Sequence, residues 1–179
     1  STVHTNDAAS TITRLVEIGI EPFLISTSLI CICAQRLMRR LCACKVEEAP
    51  KPSEAELLQC AKDDSPVRSI WRPVGCAKCG RSGYKGRTGI HELMEVTDEL
   101  RDMITKNASA EALKAAARRS GMRTLFEDAM EKSKFGISSL QEALGTARPD
   151  EEVRVKAAAA GAEGGEPATA VPVLLGVTK

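Results

Sequence analysis

The run GCAKCGRSGYKGRTGIHE, at residues 75–92, decides how this chain can fold. It opens with two cysteines, Cys76 and Cys79, and the glycines on either side of this pair permit a tight backbone turn. The two-residue spacing lets two thiolates converge on one tetrahedral metal ion. The run TGIHELMEV at residues 88–96 reads as a strand, although its apolar residues do not alternate cleanly. The stretch therefore predicts a metal-holding turn that leads into a sheet.

Two more cysteines upstream, Cys42 and Cys44, could complete a four-thiolate site. Such a site is a closed structural zinc site with no open position for catalysis, and it would pin a proline-rich segment that has little core of its own. The upstream pair is one residue shorter than the usual spacing, and Cys60 could substitute as a ligand. Two alternatives stay open: buried free thiols without a metal, and a redox pair, which here lacks the βαβ surroundings.

The composition favours a helix-rich core and argues against a nucleic-acid partner. Of the 179 residues, 43% are hydrophobic but only 3% are aromatic, so Leu, Met and Ala must fill much of the core. These residues are good helix formers, whereas strands prefer aromatic and β-branched side chains. A net charge of +1 attracts no nucleic acid, and the single Trp71 and Tyr84 offer few stacking surfaces. A zinc ribbon that binds nucleic acid is therefore disfavoured.

The cysteine count and the N-terminal residues indicate a reducing compartment. The seven cysteines are an odd number, and residues 1–10 lack the basic and apolar regions of a secretory signal. A cytosolic location is then expected, where disulfides are rare. The longest apolar stretch, at residues 22–34, is shorter than the about 20 residues of a bilayer span, so no membrane span is expected. The start at Ser1, with what reads as the end of a strand, suggests a piece of a longer chain.

The first twenty residues predict the end of a strand and then a helix. Residues 1–5 are strand-like, and Asn6 and Asp7 are of the types that cap helix N-termini. Apolar residues then recur on one helical face, and Gly19 is a natural stop.

A second helix is predicted over residues 22–41. Pro22 suits its first turn, where a missing N–H costs nothing, and the apolar content implies burial on most sides. Cys31 and Cys33 would then be small core residues. Basic residues in its last turns would oppose the negative end of the helix dipole or, alternatively, contact a phosphate or an acidic partner. These residues are Arg36, Arg39 and Arg40.

The rest of the sequence predicts helices and then a tail. Helices are expected to open near three hydroxyl caps: Thr97, Ser109 and Ser138. A further helix is expected over about residues 123–134. Beyond Ala147 the composition shifts to Ala, Gly, Glu and Pro, which is typical of a disordered tail. The run VPVLLGV at residues 171–177 could dock on a partner, although an unstructured end is the simpler interpretation.

The two histidines are candidates for chemistry, but a nucleotide-binding loop is missing. His4 could contact a phosphate or donate a proton, although a structural histidine is the commoner case, and His91 is more simply structural. The run GYKGRTG at residues 83–89 lacks the spacing of a phosphate-binding loop, which ends in Gly-Lys-Ser/Thr. No four apolar residues ending in Asp-Glu are present to hold magnesium. The chain alone is therefore not expected to hydrolyse nucleotide.

Four motifs, in this order, resemble the C-terminal half of the ATPases of type II secretion and type IV pilus assembly. STVHTND (residues 1–7) resembles the histidine box that follows the Walker B strand in that family. AQRLMRRLC (34–42) resembles the helix leading into its tetracysteine module, and residues 75–92 resemble the second half of that module and the next strand. The helices ending at SSLQEALG (138–145) match the family's C-terminal helices. The resemblance covers about residues 1–145.

The resemblance implies roles for the candidate residues. His4 would lie near the γ-phosphate of ATP and help to couple nucleotide state to movement, and the zinc ligands would be Cys42, Cys44, Cys76 and Cys79. The intact protein would be a cytoplasmic hexamer, peripheral to the inner membrane, that uses ATP and magnesium and works with inner-membrane platform proteins. It would serve secretion, pilus assembly or DNA uptake. The chain departs from the family pattern at the shortened cysteine pair and at His91, where the family often has Tyr.

The predicted fold class is α/β: the C-terminal part of a RecA-like P-loop ATPase domain with an inserted zinc-binding module and a helical C-terminal subdomain. The predicted units are a portion of the ATPase core (1–41), the zinc module (42–87), a strand with the helical subdomain (88–146) and a disordered tail (147–179). Without Walker A and Walker B, the chain alone is not expected to be an enzyme. The alternative is a stand-alone zinc-binding interaction module.

Overall fold

Helices and strands are interspersed in the computed structural model, which describes residues 2–60 and 65–149. The helices are α1 (Ala8–Glu17), α2 (Pro22–Ser28), α3 (Pro52–Leu58), α4 (Asp98–Thr105), α5 (Ala110–Arg119), α6 (Leu125–Lys134) and α7 (Leu140–Thr146). The strands are β1 (Cys31–Leu41), β2 (Val46–Glu48), β3 (Ile70–Arg72) and β4 (Tyr84–Glu95), and one 3-10 turn covers Ala77–Cys79. This content confirms a mixed helix-and-strand class.

A long antiparallel pair of strands carries the rest of the fold. β1 pairs with β4, from Cys31 opposite Glu95 to Arg39 opposite Arg87, and the register shifts before Leu41. The short strands β2 and β3 form a separate antiparallel pair between the two long strands in the chain. The predicted strand at residues 88–96 is thus the second half of a longer one.

One face of β4 is buried, with the two-residue period of a strand. Ile90, Glu92 and Met94 are each 1% exposed or less, whereas His91 and Leu93 between them are exposed. The alternation is hidden in the sequence because the central inward residue is a glutamate.

The predicted helix over residues 22–41 is wrong beyond Ser28. Ser26 and Thr27 turn their hydroxyls back onto the carbonyl of Phe23, a local bond that competes with the helix ladder, and Leu29 is already extended. From Cys31 the backbone pairs with β4 instead. A short apolar run does not distinguish a buried helix from a strand, and here the partner strand decides.

Two further expectations for the N-terminal part are wrong. Cys31 and Cys33 are exposed on β1, on either side of the buried Ile32, so they are not core residues. Residues 2–5, which were expected to end a strand, have no regular secondary structure. Ser1 lies outside the described residues.

The C-terminal helices begin at hydroxyl caps, mostly as predicted. The side chains of Thr97 and Ser109 accept N–H groups in the first turns of α4 and α5. The cap of α7 is Ser139 rather than the predicted Ser138, since the Ser139 hydroxyl accepts the N–H of Glu142 at 3.2 Å. Ser138 is buried and donates to the Arg39 carbonyl at 2.8 Å, so it ties α7 to β1.

The main hydrophobic core lies where α1, α2, α4 and α5 meet the strand pair. Its buried members include Ala8, Ile12, Ile25, Ile32, Met94, Leu100, Ile104, Leu113 and Ala116. Elsewhere α6 packs against α7, α3 and β3, and Leu58 and Ile70 of the last two are fully buried. The segment between β1 and β4 therefore buries its apolar residues Leu58 and Ile70 in elements that pack against α6.

The chain divides into two units, Ser1–Arg148 and Pro149–Lys179. The predicted tail, including the run at 171–177, falls almost wholly outside the described residues. Within the described ranges, no helix combines the length and apolar character needed to cross a membrane.

Candidate functional site

Four cysteine thiols from the segment that connects β1 to β4 lie close together. The sulfurs of Cys42, Cys44, Cys76 and Cys79 all lie within 4.8 Å of one another. The Sγ–Sγ distance is 3.9 Å between Cys42 and Cys76, 3.9 Å between Cys44 and Cys79, and 3.7 Å between Cys76 and Cys79. These distances are far longer than the about 2.05 Å of a disulfide, so the cysteines are free thiols placed to hold a metal ion.

A turn brings the shortened upstream pair into the cluster. The N–H of Lys45 donates to the carbonyl of Cys42 at 3.0 Å, which closes a turn with Ala43 and Cys44 inside it. The N–H of Cys42 donates to the Gly83 carbonyl at 2.9 Å, which joins the turn to the start of β4. One intervening residue is therefore enough to aim both thiols the same way.

The downstream pair lies on the 3-10 turn. The N–H groups of Cys79 and Arg81 both donate to the carbonyl of Cys76, at 3.2 and 2.9 Å. Gly75 has φ +101°, and a Cβ there would lie 2.5 Å from the Arg81 carbonyl oxygen. The glycine before the pair is therefore required both for its left-handed backbone and for the close approach of another chain segment.

The thiols differ in acidity because their backbone surroundings differ. The N–H of Cys76, with that of Gly83, donates to the Cys79 sulfur and lowers the pKa of Cys79 to about 6. Loss of hydration, with neighbouring thiols, raises the pKa of Cys44 to about 11. Near neutral pH Cys79 therefore offers a thiolate, and a bound cation would displace the proton of Cys44.

Cys60 lies outside this cluster. Its thiol contacts the Glu56 carbonyl at 3.7 Å, one turn earlier in the chain. The structure therefore gives no support to Cys60 as a substitute ligand.

The segment between β1 and β4 that carries the four thiols, here called the thiol module, contacts the end of α6 through an aromatic ring. The Lys45 ammonium lies 4.2 Å above the ring of Trp71 and donates to the Gly136 carbonyl at 2.6 Å. Gly136, with φ +65°, leaves room for the Trp71 ring, since a Cβ at this position would lie 2.5 Å from it. The module thus rests on the loop between α6 and α7.

A second contact joins β1 to α7 through Arg39. Its guanidinium donates to Glu142 at 2.6 and 2.9 Å, and its backbone N–H donates to the same carboxylate at 3.0 Å. The guanidinium also lies 4.2 Å from the centroid of the Tyr84 ring. Arg39 was predicted to oppose the dipole of its own helix; instead it lies on a strand and binds the carboxylate of Glu142 in α7.

We expect Glu142→Gln to lower the free energy of unfolding by about 1 to 2 kcal/mol at pH 7, because it weakens these charge-assisted bonds. Burial alone would raise the pKa of Glu142, but the side chain and N–H of Arg39 outweigh it and hold this pKa below its usual range. A lowered pKa gives stability that is present above about pH 4.3 and lost as the pH falls through the folded value. Urea unfolding should show the full difference at pH 7 and a shrinking one below about pH 4. A pH-independent difference would contradict this account.

His4 lies in the irregular segment before α1 and is exposed. Among the described residues, it takes no part in the thiol cluster. The next residues are held firmly: the Thr5 hydroxyl donates to the Asp7 carbonyl at 3.1 Å, and the Asp7 carboxylate accepts the N–H of Ser10 at 2.8 Å. An accessible imidazole is thus displayed at the end of a well-anchored turn.

Sequence reasoning missed Glu92. Its carboxylate is buried, and the N–H groups of Ala8 and Leu125 donate to it at 2.9 and 3.2 Å. Burial raises the pKa of Glu92, against the opposing effect of these donors. The available signal was a charged residue at an inward position, between Ile90 and Met94.

These features define a segment in which a strand pair carries a four-thiol module and a helical region. Residues 1–145 match the family described as Type II/IV secretion system protein, and the chain belongs to this family.

Named relatives agree with this assignment. The chain is 48% identical over 145 residues to "Type IV pilus assembly ATPase PilB" of Thermus thermophilus, which covers 80% of this chain and 16% of that protein. It is 43% identical over 152 residues to "Type II secretion system protein E" of Aeromonas hydrophila, with coverages of 84% and 30%. It is 42% identical over 149 residues to "Type II secretion system protein HxcR" of Pseudomonas aeruginosa, with coverages of 83% and 28%. The chain thus spans less than a third of each of these relatives.

Proposed function

We propose that this chain is the C-terminal segment of an ATPase that powers type II secretion or type IV pilus assembly. The observation that carries the proposal is the family match over residues 1–145, because it spans both His4 and the thiol cluster. The segment belongs to a RecA-like ATPase domain and contributes a histidine near ATP, a structural metal module and subunit contacts. It is not catalytic by itself, since the phosphate-binding loop and the magnesium-binding strand are absent from its sequence.

The thiol cluster serves this function as a structural zinc site with Cys42, Cys44, Cys76 and Cys79 as its ligands. Tetrahedral zinc with Zn–S bonds of about 2.3 Å requires sulfurs about 3.8 Å apart. Three of the separations, at 3.7 to 3.9 Å, meet this requirement, and all four sulfurs lie within 4.8 Å of one another. When bound, zinc would staple the turn after β1 to the turn before β4. Four protein ligands leave no open position, so the ion would support the fold and not the chemistry.

His4 is the residue that we assign to nucleotide sensing. Its exposure and the anchored turn after it suit a side chain that meets a phosphate supplied by the rest of the ATPase. The intact protein would be a cytoplasmic hexamer that binds ATP and magnesium and contacts platform proteins at the inner membrane.

In the intact ATPase, we expect His4→Ala to lower the rate of ATP hydrolysis by about tenfold or more, as expected when a donor near the transferred phosphate is lost. The matched control is His91→Ala, which removes the other histidine of this chain from the exposed face of β4 and should leave the rate within about twofold. The measurement is steady-state phosphate release at saturating ATP. Equal rates in the two variants would overturn the role of His4.

A further inference from the structure

Glu92 joins the beginnings of two helices that are far apart in the sequence. Ala8, whose N–H donates to Oε1, is the first residue of α1, and Leu125, whose N–H donates to Oε2, is the first residue of α6. The side chain is 1% exposed. One buried carboxylate therefore receives a backbone donor from each helix, one oxygen to each.

The carboxylate does more than a helix cap would require. The first N–H groups of a helix lack partners within it, and its N-terminus attracts negative charge. Each helix already has its own cap, because Asp7 accepts the N–H of Ser10 in α1 and Thr124 accepts the N–H of Glu127 in α6. Glu92 also binds the first residue of each helix, so it fixes the start of α1 relative to the start of α6.

The buried face of β4 would accept an apolar residue here. Ile90 and Met94, two positions away on either side, are fully buried. A buried carboxylate is costly unless it is hydrogen-bonded, so a glutamate at this position serves its two donors and not the core. Charge-assisted bonds of this kind are stronger than neutral ones and fix geometry well.

The link continues in both directions from Glu92. Towards the N-terminus, the turn at Asp7 holds the segment that begins at His4. The Asp7 carboxylate also lies 3.8 Å from the Lys114 ammonium of α5. Towards the C-terminus, α6 ends just before Gly136, where the Trp71 ring of the thiol module docks. Residues 4–8 are thus connected through Glu92 to α6, and through α6 to the module, by an unbroken series of contacts.

We propose that Glu92 is a positioning residue that transmits movement of the His4 segment to the start of α6. The inference rests on the proposed function, because it is ATP that would displace this segment. Replacement by Gln removes the charge and leaves one acceptor oxygen beside an amide that can only donate. One helix start is therefore released.

The test is amide hydrogen exchange in the intact ATPase, with and without a non-hydrolysable ATP analogue. In the unaltered protein, the analogue should slow exchange at residues 5–8 and also at 125–127. In Glu92→Gln, the response at 5–8 should remain and the response at 125–127 should disappear, with affinity for the analogue unchanged within about threefold. Without nucleotide, exchange at Ala8 or Leu125 should be about tenfold faster in this variant.

Glu127→Gln is the matched control. Glu127 is also buried, but its carboxylate accepts the N–H of Thr124 at 2.9 Å and the Arg118 guanidinium of α5 at 3.0 Å, and the contacts of the described residues give it no bond to α1. The Glu127→Gln substitution should speed amide hydrogen exchange at residues 125–127 and yet keep the response to nucleotide there. If Glu92→Gln does not fold, Glu92→Asp decides, because its shorter side chain keeps the charge but reaches one donor at most.

Three outcomes of the exchange experiment would each overturn a different claim. No nucleotide response at residues 5–8 in the unaltered protein would overturn the proposed role of His4 and the transmission with it. A response at 5–8 without one at 125–127 would overturn the transmission alone. An unchanged response at 125–127 in the Glu92 variants would show that another contact carries the movement.

Discussion

Protein purified without added metal should contain about one zinc ion per chain, and Cys76→Ser should lose it. The expectation follows from three sulfur pairs already 3.7 to 3.9 Å apart, close to the separation that tetrahedral zinc requires. Because a closed structural site contributes its binding energy to folding, removal of the metal with a chelator should lower the unfolding midpoint by about 10 °C. Zinc uptake should also weaken as the pH falls, since the ligands bind as thiolates. Elemental mass spectrometry and thermal unfolding measure these effects.

The control for this prediction is Cys60→Ser. Cys60 lies on the same stretch of chain as the ligands but outside the cluster, so its loss should leave zinc content unchanged. Zinc lost equally from both variants would mean that the sequence-based alternative with Cys60 as a ligand was right. A folded protein without zinc would mean that packing alone holds the four thiols together.

Local chemistry was enough to predict many of the elements. The caps at Thr97 and Ser109 follow from hydroxyls that satisfy the first N–H groups of a helix, which depends only on nearby residues. The grouping of the four cysteines was predicted from their spacing, together with the glycines around Cys76 and Cys79. Ser139 took the place of Ser138 as cap because Ser138 bonds to a carbonyl of β1, which no local pattern reveals.

The wrong predictions concern residues whose structure depends on a partner far away in the sequence. Residues 31–41 suit a buried helix by composition, yet they form β1 because β4, about fifty residues later, offers a full set of backbone partners. Glu92 looked like a break in the strand pattern, although it is an inward residue whose donors, at Ala8 and Leu125, lie 84 residues before it and 33 residues after it. Long-range pairing of this kind cannot be read from a single sequence.

We expect Gly136→Ala to detach the thiol module from α6. The added Cβ would lie 2.5 Å from the Trp71 ring, and it would stand on a backbone with φ +65°, which disfavours any side chain. Strain and overpacking together should cost about 2 to 5 kcal/mol. Since Trp71 is the only tryptophan, its fluorescence reports on this contact directly, and its emission should shift towards that of an exposed indole. Fluorescence at 25 °C and urea unfolding give the two readouts.

Gly121→Ala separates the clash from the backbone strain. Gly121 also follows a helix, has φ +102°, and no atom lies within 4 Å of the position that a Cβ would take. It should cost about 1 kcal/mol and leave the Trp71 emission unchanged, because only the strain is shared. Equal losses in both variants would mean that Trp71 does not press on the α6–α7 loop. A larger loss for Gly136→Ala, with a shifted emission, would locate the docking of the module at this one glycine, because the two substitutions differ mainly in what the new methyl group meets.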